Sequence, residues 1–387
     1  MEATCAMSLE RSPSVVVWEV SRACDLACLH CRASIQAKRS TLELSTCEGY
    51  DLIEQVADLA PERFTLSGGD PLKRPDIFEL IDAASRRRLN ASLAVSATPL
   101  LSTEAIDRLR DAGLARLAIA LEGSAPEAHD GVRGVPGAFR VTVDSIRHAT
   151  AIGLPVEVNT IVSRFNLSQI DAMMAMMGEL GVASWNLHFY VPCGPGSASD
   201  MISAEDMERV FARLYEGGRH APFEIRTTEA MHYRRYVLQR ELRENPDLAR
   251  RVFEAGFDYA ALVEAMKQDS NEDADAFRSA HPLLRVNDAR GFLFVSHIGE
   301  VYPSGFLPLS GGNVRFRKLA HIYRNSPLFT TIRDSAELGG KCGLCEFKDV
   351  CGGSRARAYA VNGDPMAAEP SCAYQPAVLR EDSLVGH

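Results

Sequence analysis

No apolar run in this 387-residue chain approaches the ~20 residues that a membrane-spanning helix requires, which excludes a helical membrane protein. The start, Met1 to Ser14, lacks the basic-then-apolar order of a secretory signal, so a cytoplasmic protein is expected. Basic residues are in deficit: 42 Lys and Arg against 51 Asp and Glu leave a formal net charge of -9. Neutralising phosphates needs the opposite balance, so nucleic-acid binding is not expected as the main role. Internal repeats and low-complexity tracts are also missing.

What is present is a composition ordinary for globular proteins, 46% hydrophobic and 24% charged. The length exceeds one ordinary core, so one large α/β domain with a smaller one is the default expectation. Ten cysteines would suggest disulfides in a small secreted protein. In a long chain without a signal they do not, and seven of the ten fall in two groups, which points to metal or cluster ligation. Cys5, Cys47 and Cys193 read as ordinary thiols.

From Val15 to about Gly217, short apolar runs alternate with helical patterns, the mark of βα units around a parallel sheet. Strands are predicted at 15–20, 63–67, 91–96, 115–121, 156–162 and 184–190, and six strands each followed by a helix fit an incomplete barrel. Ser45-Thr46-Cys47-Glu48 has the form of a capping box, and Leu52, Ile53, Val56 and Leu59 make a helical stripe behind it. A further strand at 223–227 precedes a long polar helical stretch, 229–278. From Gly291, short strands, turns and glycines mark a second small domain. The tail after Tyr374 is expected to fray. In a barrel of this kind the loops after the strands carry the chemistry.

The first strand runs into Cys24, Cys28 and Cys31, spaced Cys-x3-Cys-x2-Cys. Three thiolates this close can hold three irons of a four-iron cluster and leave the fourth open to a small molecule. A zinc knuckle or buried reduced thiols would use the same residue type. The segment from Val17 to Arg32 resembles the cluster loop of radical S-adenosylmethionine (SAM) enzymes, with His30 where that family often has an aromatic residue.

Leu66-Ser67-Gly68-Gly69-Asp70-Pro71 follows the second strand. Paired glycines let a backbone approach a ligand closely, and an adjacent carboxylate can accept hydrogen bonds from an ammonium group. The stretch resembles the family's Gly-Gly-Glu motif, which implies that Gly68, Gly69 and Asp70 bind the SAM amino group. Ser96, ending the third strand, matches a position that commonly contacts the SAM ribose, although a turn-forming serine reads the same way. Ala120-Leu121-Glu122-Gly123, then His129-Asp130-Gly131-Val132-Arg133-Gly134, resemble the family's Ser-Leu-Asp-Gly and its following His-Asp and Arg-Gly. The resemblance implies Glu122 at the SAM site and Arg133 pairing with the SAM carboxylate, a task suited to a bidentate guanidinium. It also implies the chemistry: an electron from the reduced cluster cleaves SAM to a 5′-deoxyadenosyl radical, while the protein positions substrate and excludes water.

Cys342, Cys345, Cys351 and Cys372 form the second group, enough to ligate one cluster or one zinc completely. Their surroundings resemble the C-terminal auxiliary-cluster domain of radical SAM enzymes, in its short twitch form or longer SPASM form. A two-cluster form would need further cysteines, and Ser304 and Ser354 stand in those places. One auxiliary [4Fe-4S] cluster is therefore implied, for electron relay or substrate positioning. The implied fold is α/β: a partial (β/α)6 TIM-like barrel at 15–217 after an N-terminal extension, 1–14. A last strand and helical bridge follow at 218–290, a small α+β iron–sulfur domain at 291–375, and a tail at 376–387.

The resemblance runs from Val15 to Tyr374 and is nearest to the heme-biosynthetic branch, through the run that begins Cys351-Gly352-Gly353. It implies a tetrapyrrole propionate as substrate and an electron donor such as ferredoxin or flavodoxin. A maturase of a ribosomally made peptide is the alternative, and a non-catalytic iron–sulfur or heme-binding protein is a third reading. Too few residues precede the first strand for the peptide-recognition domain that many maturases carry, which favours a small molecule. His232, Arg234 and Arg235, after the seventh strand, are candidates for binding substrate carboxylates, ligating heme iron or donating a proton. A solvated basic helix start would read identically. His188 on the sixth strand is a weaker candidate, because a lone strand histidine is more often a core residue.

Overall fold

The computed structural model describes residues 9–26, 28–32, 36–194, 196–247 and 286–381. Seven strands carry the architecture: β1 (Val15–Ser21), β2 (Arg63–Gly68), β3 (Ala91–Val95), β4 (Arg116–Ala120), β5 (Val156–Val162), β6 (Ser184–Phe189) and β7 (Glu224–Thr228). They pair in sequence order, every neighbour parallel. Helical connections make that possible, since parallel strands need a crossover between them.

One face of each strand packs against helices. Val16, Trp18 and Val20 of β1 are buried, as are Leu52, Ile53, Val56 and Leu59 of the helix Thr46–Leu59. Ser45 and Glu48 open that helix with the reciprocal bonds of a capping box. Gly49 is needed on this face, because a Cβ there would come within 2.9 Å of the Trp18 ring. The other face forms a lumen of about 360 Å³, open to solvent and lined from every strand of β1 to β7.

The six predicted βα units are present, and the parallel sheet continues beyond them at both edges. β7 adds to β6, and β8 (Phe292–Val295) pairs in parallel with β1, Val15 opposite Phe292 through Trp18 opposite Val295. β9 (Glu300–Tyr302) and β10 (Gly312–Asn313) follow antiparallel, giving the order β10-β9-β8-β1-β2-β3-β4-β5-β6-β7. Without β8, β1 would leave a row of unpaired backbone groups at the sheet edge.

After β7 the helix His232–Glu244 forms the start of the predicted polar stretch; its remainder from residue 248, like Cys5, lies outside the described residues. The expectation of a frayed tail is corrected up to residue 381. Tyr374 donates its hydroxyl to Glu346, packs edge-on against Phe347 at 5.4 Å and lies 5.1 Å from the Arg235 guanidinium, and the helix Ala377–Glu381 follows. One buried aromatic edge and a carboxylate suffice to fix a segment that composition alone marks as loose. No helix among the described residues is long and apolar enough to cross a membrane.

Candidate functional site

β1 delivers the chain into the cysteine loop. Cys24 N–H donates to Gln36 O (3.0 Å), Cys31 N–H to Cys28 O (3.2 Å), and Leu26 N–H to Cys24 Sγ (3.4 Å). Burial raises the Cys24 thiol, and Asp70, Cys28 and Cys31 lie close enough to raise it further. The loop after β6 seats on this one: a Cβ on Gly194 would fall 2.3 Å from the Cys31 carbonyl oxygen. Against Cys28 stands a fixed positive charge, with Arg133 Nη1 3.3 Å from its Sγ. A cation there complements the negative charge that a thiolate-ligated cluster would bring. Three sulfurs on one loop, facing a guanidinium, fit a cluster with one open iron.

Arg133 gathers the other predicted residues. Its Nη1 also donates to Ser96 Oγ (3.2 Å) and its Nη2 to Glu122 Oε1 (2.7 Å). Glu122 in turn accepts from Ile161 N–H (2.9 Å), and His30 Nε2 lies 3.2 Å from it. Burial pushes the Glu122 carboxyl up, but His30 and Arg133 outweigh burial and hold it at about 2. His129 Nδ1 accepts from Glu122 N–H (3.0 Å), while Asp130 receives Gly137 N–H and Phe139 N–H at the next helix start. The His-Asp pair thus positions the arginine, and His30, which the sequence marked only as a departure, is part of the same cluster. One guanidinium nitrogen is committed to Glu122, so the edge carrying Nη1 is what a carboxylate ligand would meet.

Gly68, Gly69 and Asp70 occupy the turn after β2, pressed against the cysteine loop. A Cβ on Gly68 would fall 2.5 Å from Ser21 O, and one on Gly69 2.6 Å from Ala23 O. Gly69 N–H donates to Ser21 O (2.8 Å) and Asp70 N–H to Ala23 O (2.7 Å). The Asp70 carboxylate is buried, accepting from Thr98 Oγ1 (2.7 Å) and Leu72 N–H (3.0 Å). Each Asp70 oxygen accepts one hydrogen bond here, so each keeps a lone pair that an ammonium group could meet, and the motif also seats the cysteine loop.

The second cysteine set rings a small cavity of about 20 Å³, with His232, Arg235 and Lys341 in its wall. Burial raises Cys351 and Cys372, and lifts Cys345 to about 11. The Arg355 and Arg357 of the shared run hold this unit in place. Arg355 Nη1 donates to Pro365 O (2.9 Å) and Ala367 O (2.8 Å), bracing the approach to Cys372. Arg357 pairs with Glu369 at 3.1 Å and donates to Phe189 O and Tyr190 O, both at 3.1 Å, clamping the unit onto the end of β6. Ser304 and Ser354 converge on one buried carboxylate, Glu229.

The candidates after β7 divide. Arg234 lines the lumen, whereas His232 and Arg235 line the cysteine cavity. A helix start presents successive residues to different sides. Arg235 binds Glu208 and Gln239. His232 is fully buried, and burial lowers it to about 3. The lumen holds His188, lowered by burial to about 4, whose Nε2 lies 2.9 Å from Asn186 Nδ2 and 3.2 Å from Asn159 Oδ1. Below it Arg63 (2.5 Å) and Arg226 (3.1 Å) share Glu157. These polar residues were readable: strands buried on both faces run almost wholly apolar, and Glu157, Asn159, Asn186 and His188 break that run at every second position.

The model of the Radical SAM superfamily matches residues 18–177. The AdoMet-dependent heme synthase of Methanosarcina barkeri is 35% identical over 370 residues, covering 96% of this chain and 99% of that protein. The one from Oleidesulfovibrio alaskensis is also 35% identical, over 94% of this chain and 87% of that protein. Among solved structures, Streptococcus suis SuiB bound to precursor peptide SuiA aligns with a TM-score of 0.68 at 15% identity, covering 96% of this chain and 79% of that one, a likeness of fold. A parallel barrel whose first loop carries three cysteines defines a radical SAM enzyme, a class that works with a four-iron cluster and SAM. The chain belongs to the Radical SAM superfamily and, within it, to the same family as these AdoMet-dependent heme synthases.

Proposed function

We propose that this enzyme oxidatively modifies a propionate side chain of a tetrapyrrole. The observation that carries the reading is an open lumen with four arginines in its wall, its volume of about 360 Å³ within the ~300–1,000 Å³ of small-ligand sites. Arg32, Arg63, Arg226 and Arg234 line it, as does His188. Full-length similarity to proteins named heme synthases supports the same substrate class. Cys24, Cys28 and Cys31 would hold the four-iron cluster, with Arg133, Ser96 and Glu122 beside the SAM position. Bound there, cluster and SAM supply a 5′-deoxyadenosyl radical. The chain's own residues hold the substrate carboxylates, keep Arg133 oriented and exclude water. Losing one hydrogen atom, then carbon dioxide and one electron, would leave a vinyl group where a propionate was.

Cys342, Cys345, Cys351 and Cys372 would hold one auxiliary cluster, which supplies one-electron transfer. The four cysteines line one cavity together with His232, Arg235 and Lys341, and the resemblance of the surrounding run to auxiliary-cluster domains favours a cluster over a structural zinc. We assign the barrel to 15–217, the bridge to 218–290 and the auxiliary domain to 291–375, with ferredoxin or flavodoxin as donor class and the cytoplasm as compartment.

The test is anaerobic: reconstitute with iron and sulfide, add dithionite, SAM and iron-coproporphyrin III, and follow 5′-deoxyadenosine and porphyrin mass together. Substrate-dependent deoxyadenosine with stepwise loss of carboxyl mass is expected. Deoxyadenosine with unchanged porphyrin would sink the tetrapyrrole reading and direct the search to peptides.

A further inference from the structure

The helix His232–Glu244 begins as a partition between two cavities. Met231 and Arg234 line the lumen, and His232 and Arg235 line the cysteine cavity. Two buried nitrogens on that second wall have no hydrogen-bond partner: His232 Nδ1 and Arg235 Nε. Both belong to well-fixed side chains. The His232 ring lies 4.8 Å from Phe211, edge-on, with Nε2 3.2 Å from Met207 Sδ. Arg235 Nη1 donates to Gln239 Oε1 (2.8 Å) and Glu208 Oε2 (3.2 Å), which leaves Nε facing elsewhere. An unmet buried donor costs about 1–3 kcal/mol, and these two belong to residues that line one cavity with the four cysteines. The groups absent from their surroundings are those the four cysteines would hold.

We propose that His232 Nδ1–H and Arg235 Nε–H donate hydrogen bonds to the sulfur of the auxiliary cluster and so set its reduction potential. This rests on reading Cys342, Cys345, Cys351 and Cys372 as cluster ligands. A neutral imidazole has one N–H, and the negative charge of cluster and thiolates selects the nitrogen nearer to them. Met207 sulfur at Nε2 is a weak, neutral acceptor, so it competes poorly with anionic cluster sulfur for the ring's one proton. Hydrogen bonds to cluster sulfur stabilise the reduced, more negative state, so they raise the potential. Through them the partition helix, which touches the substrate cavity on its other side, would fit the cluster to receive an electron.

The experiment uses the full chain with Cys24, Cys28 and Cys31 replaced by Ala, so that only the auxiliary cluster is built. Iron and sulfide content comes first: no cluster in this protein overturns the ligand reading itself. Where the cluster forms, a redox titration followed by electron paramagnetic resonance compares His232, His232→Phe and His232→Asn. A midpoint shifted to more negative potential in Phe, and returned part-way by the donor-bearing Asn, is expected; equal midpoints in all three overturn the hydrogen bond. Because His232→Phe can disturb packing, electron–nuclear double resonance on the unsubstituted His232 with 15N-histidine provides a second reading. Coupling to an exchangeable proton and a histidine nitrogen is expected, and absence of both counts against the proposal. Arg235→Gln should lower the midpoint further when combined with His232→Phe.

Discussion

Glu122 and Arg133 are each almost wholly buried, and each makes the other affordable in that place. Taking one partner away leaves a buried charge uncompensated, at a cost of about 3–5 kcal/mol. Glu122→Gln should therefore lower the melting temperature and weaken SAM binding together, because Nη1 of Arg133 loses its fixed position beside Cys28 and Ser96. Equilibrium dialysis with labelled SAM, expected to give at least tenfold weaker binding, is the check; unchanged affinity would remove Arg133 from the SAM site. Cys28→Ala separates the two cysteine sets more sharply. SAM cleavage should vanish while iron at the C-terminal cysteines stays, and undiminished 5′-deoxyadenosine would refute the loop assignment.

Among the elements, Arg357 decides whether the auxiliary unit stays on the barrel. Its guanidinium satisfies Glu369 and the carbonyls of Phe189, Tyr190 and Glu229. Arg357→Met keeps much of the volume but removes the bonds to all four acceptors and leaves the buried Glu369 charge only the N–H groups of Ser354 and Ser371, at a cost of several kcal/mol by the same desolvation argument. Hydrogen exchange across 340–372 should accelerate by two or more orders of magnitude while β2 to β5 stay protected; uniform protection would show that other contacts carry the docking. The strands themselves were legible in the sequence because both faces of a parallel strand are buried, and each came out as an apolar run with ends within a residue or two. The pairing of β8 with β1 was not legible, since it joins residues some 277 positions apart by backbone bonds that leave no side-chain pattern. At the site, the cysteine loop stood out by its spacing and Arg133 only through the resemblance of its stretch to the family's, whereas the division of His232 from Arg234 depends on which side of one helical turn meets which cavity.

For the molecule as a whole, the buried histidines make stability depend on pH. Burial, then the nearby Arg133, lowers His129 to about 4, and burial lowers His188 to about 4, against 6.5 for a free ring. The unfolded chain takes up these protons first as pH falls, so stability is complete above pH 6.5 and declines as pH drops towards 4. Each ring accounts for roughly 2 kcal/mol between pH 6.5 and 5. A second loss follows: Glu19 is pushed up by burial but held at about 2 by Arg32, His297 and Arg22, and its contribution, present above 4.5, disappears between 4.5 and 2. Denaturant unfolding of the cluster-free protein should thus give a smaller free energy at pH 5 than at pH 7. His188→Asn, which keeps a polar group among Asn159, Asn186 and the lumen, should remove about a third of that difference, because His129 and the equally buried His232 carry the rest. If the slope is unchanged, the ring is solvated in the folded state and the lumen is wetter at β6 than the packing of its strands indicates. A flattened slope together with weaker porphyrin binding by the same variant would mark the neutral ring as part of the wall that the substrate meets.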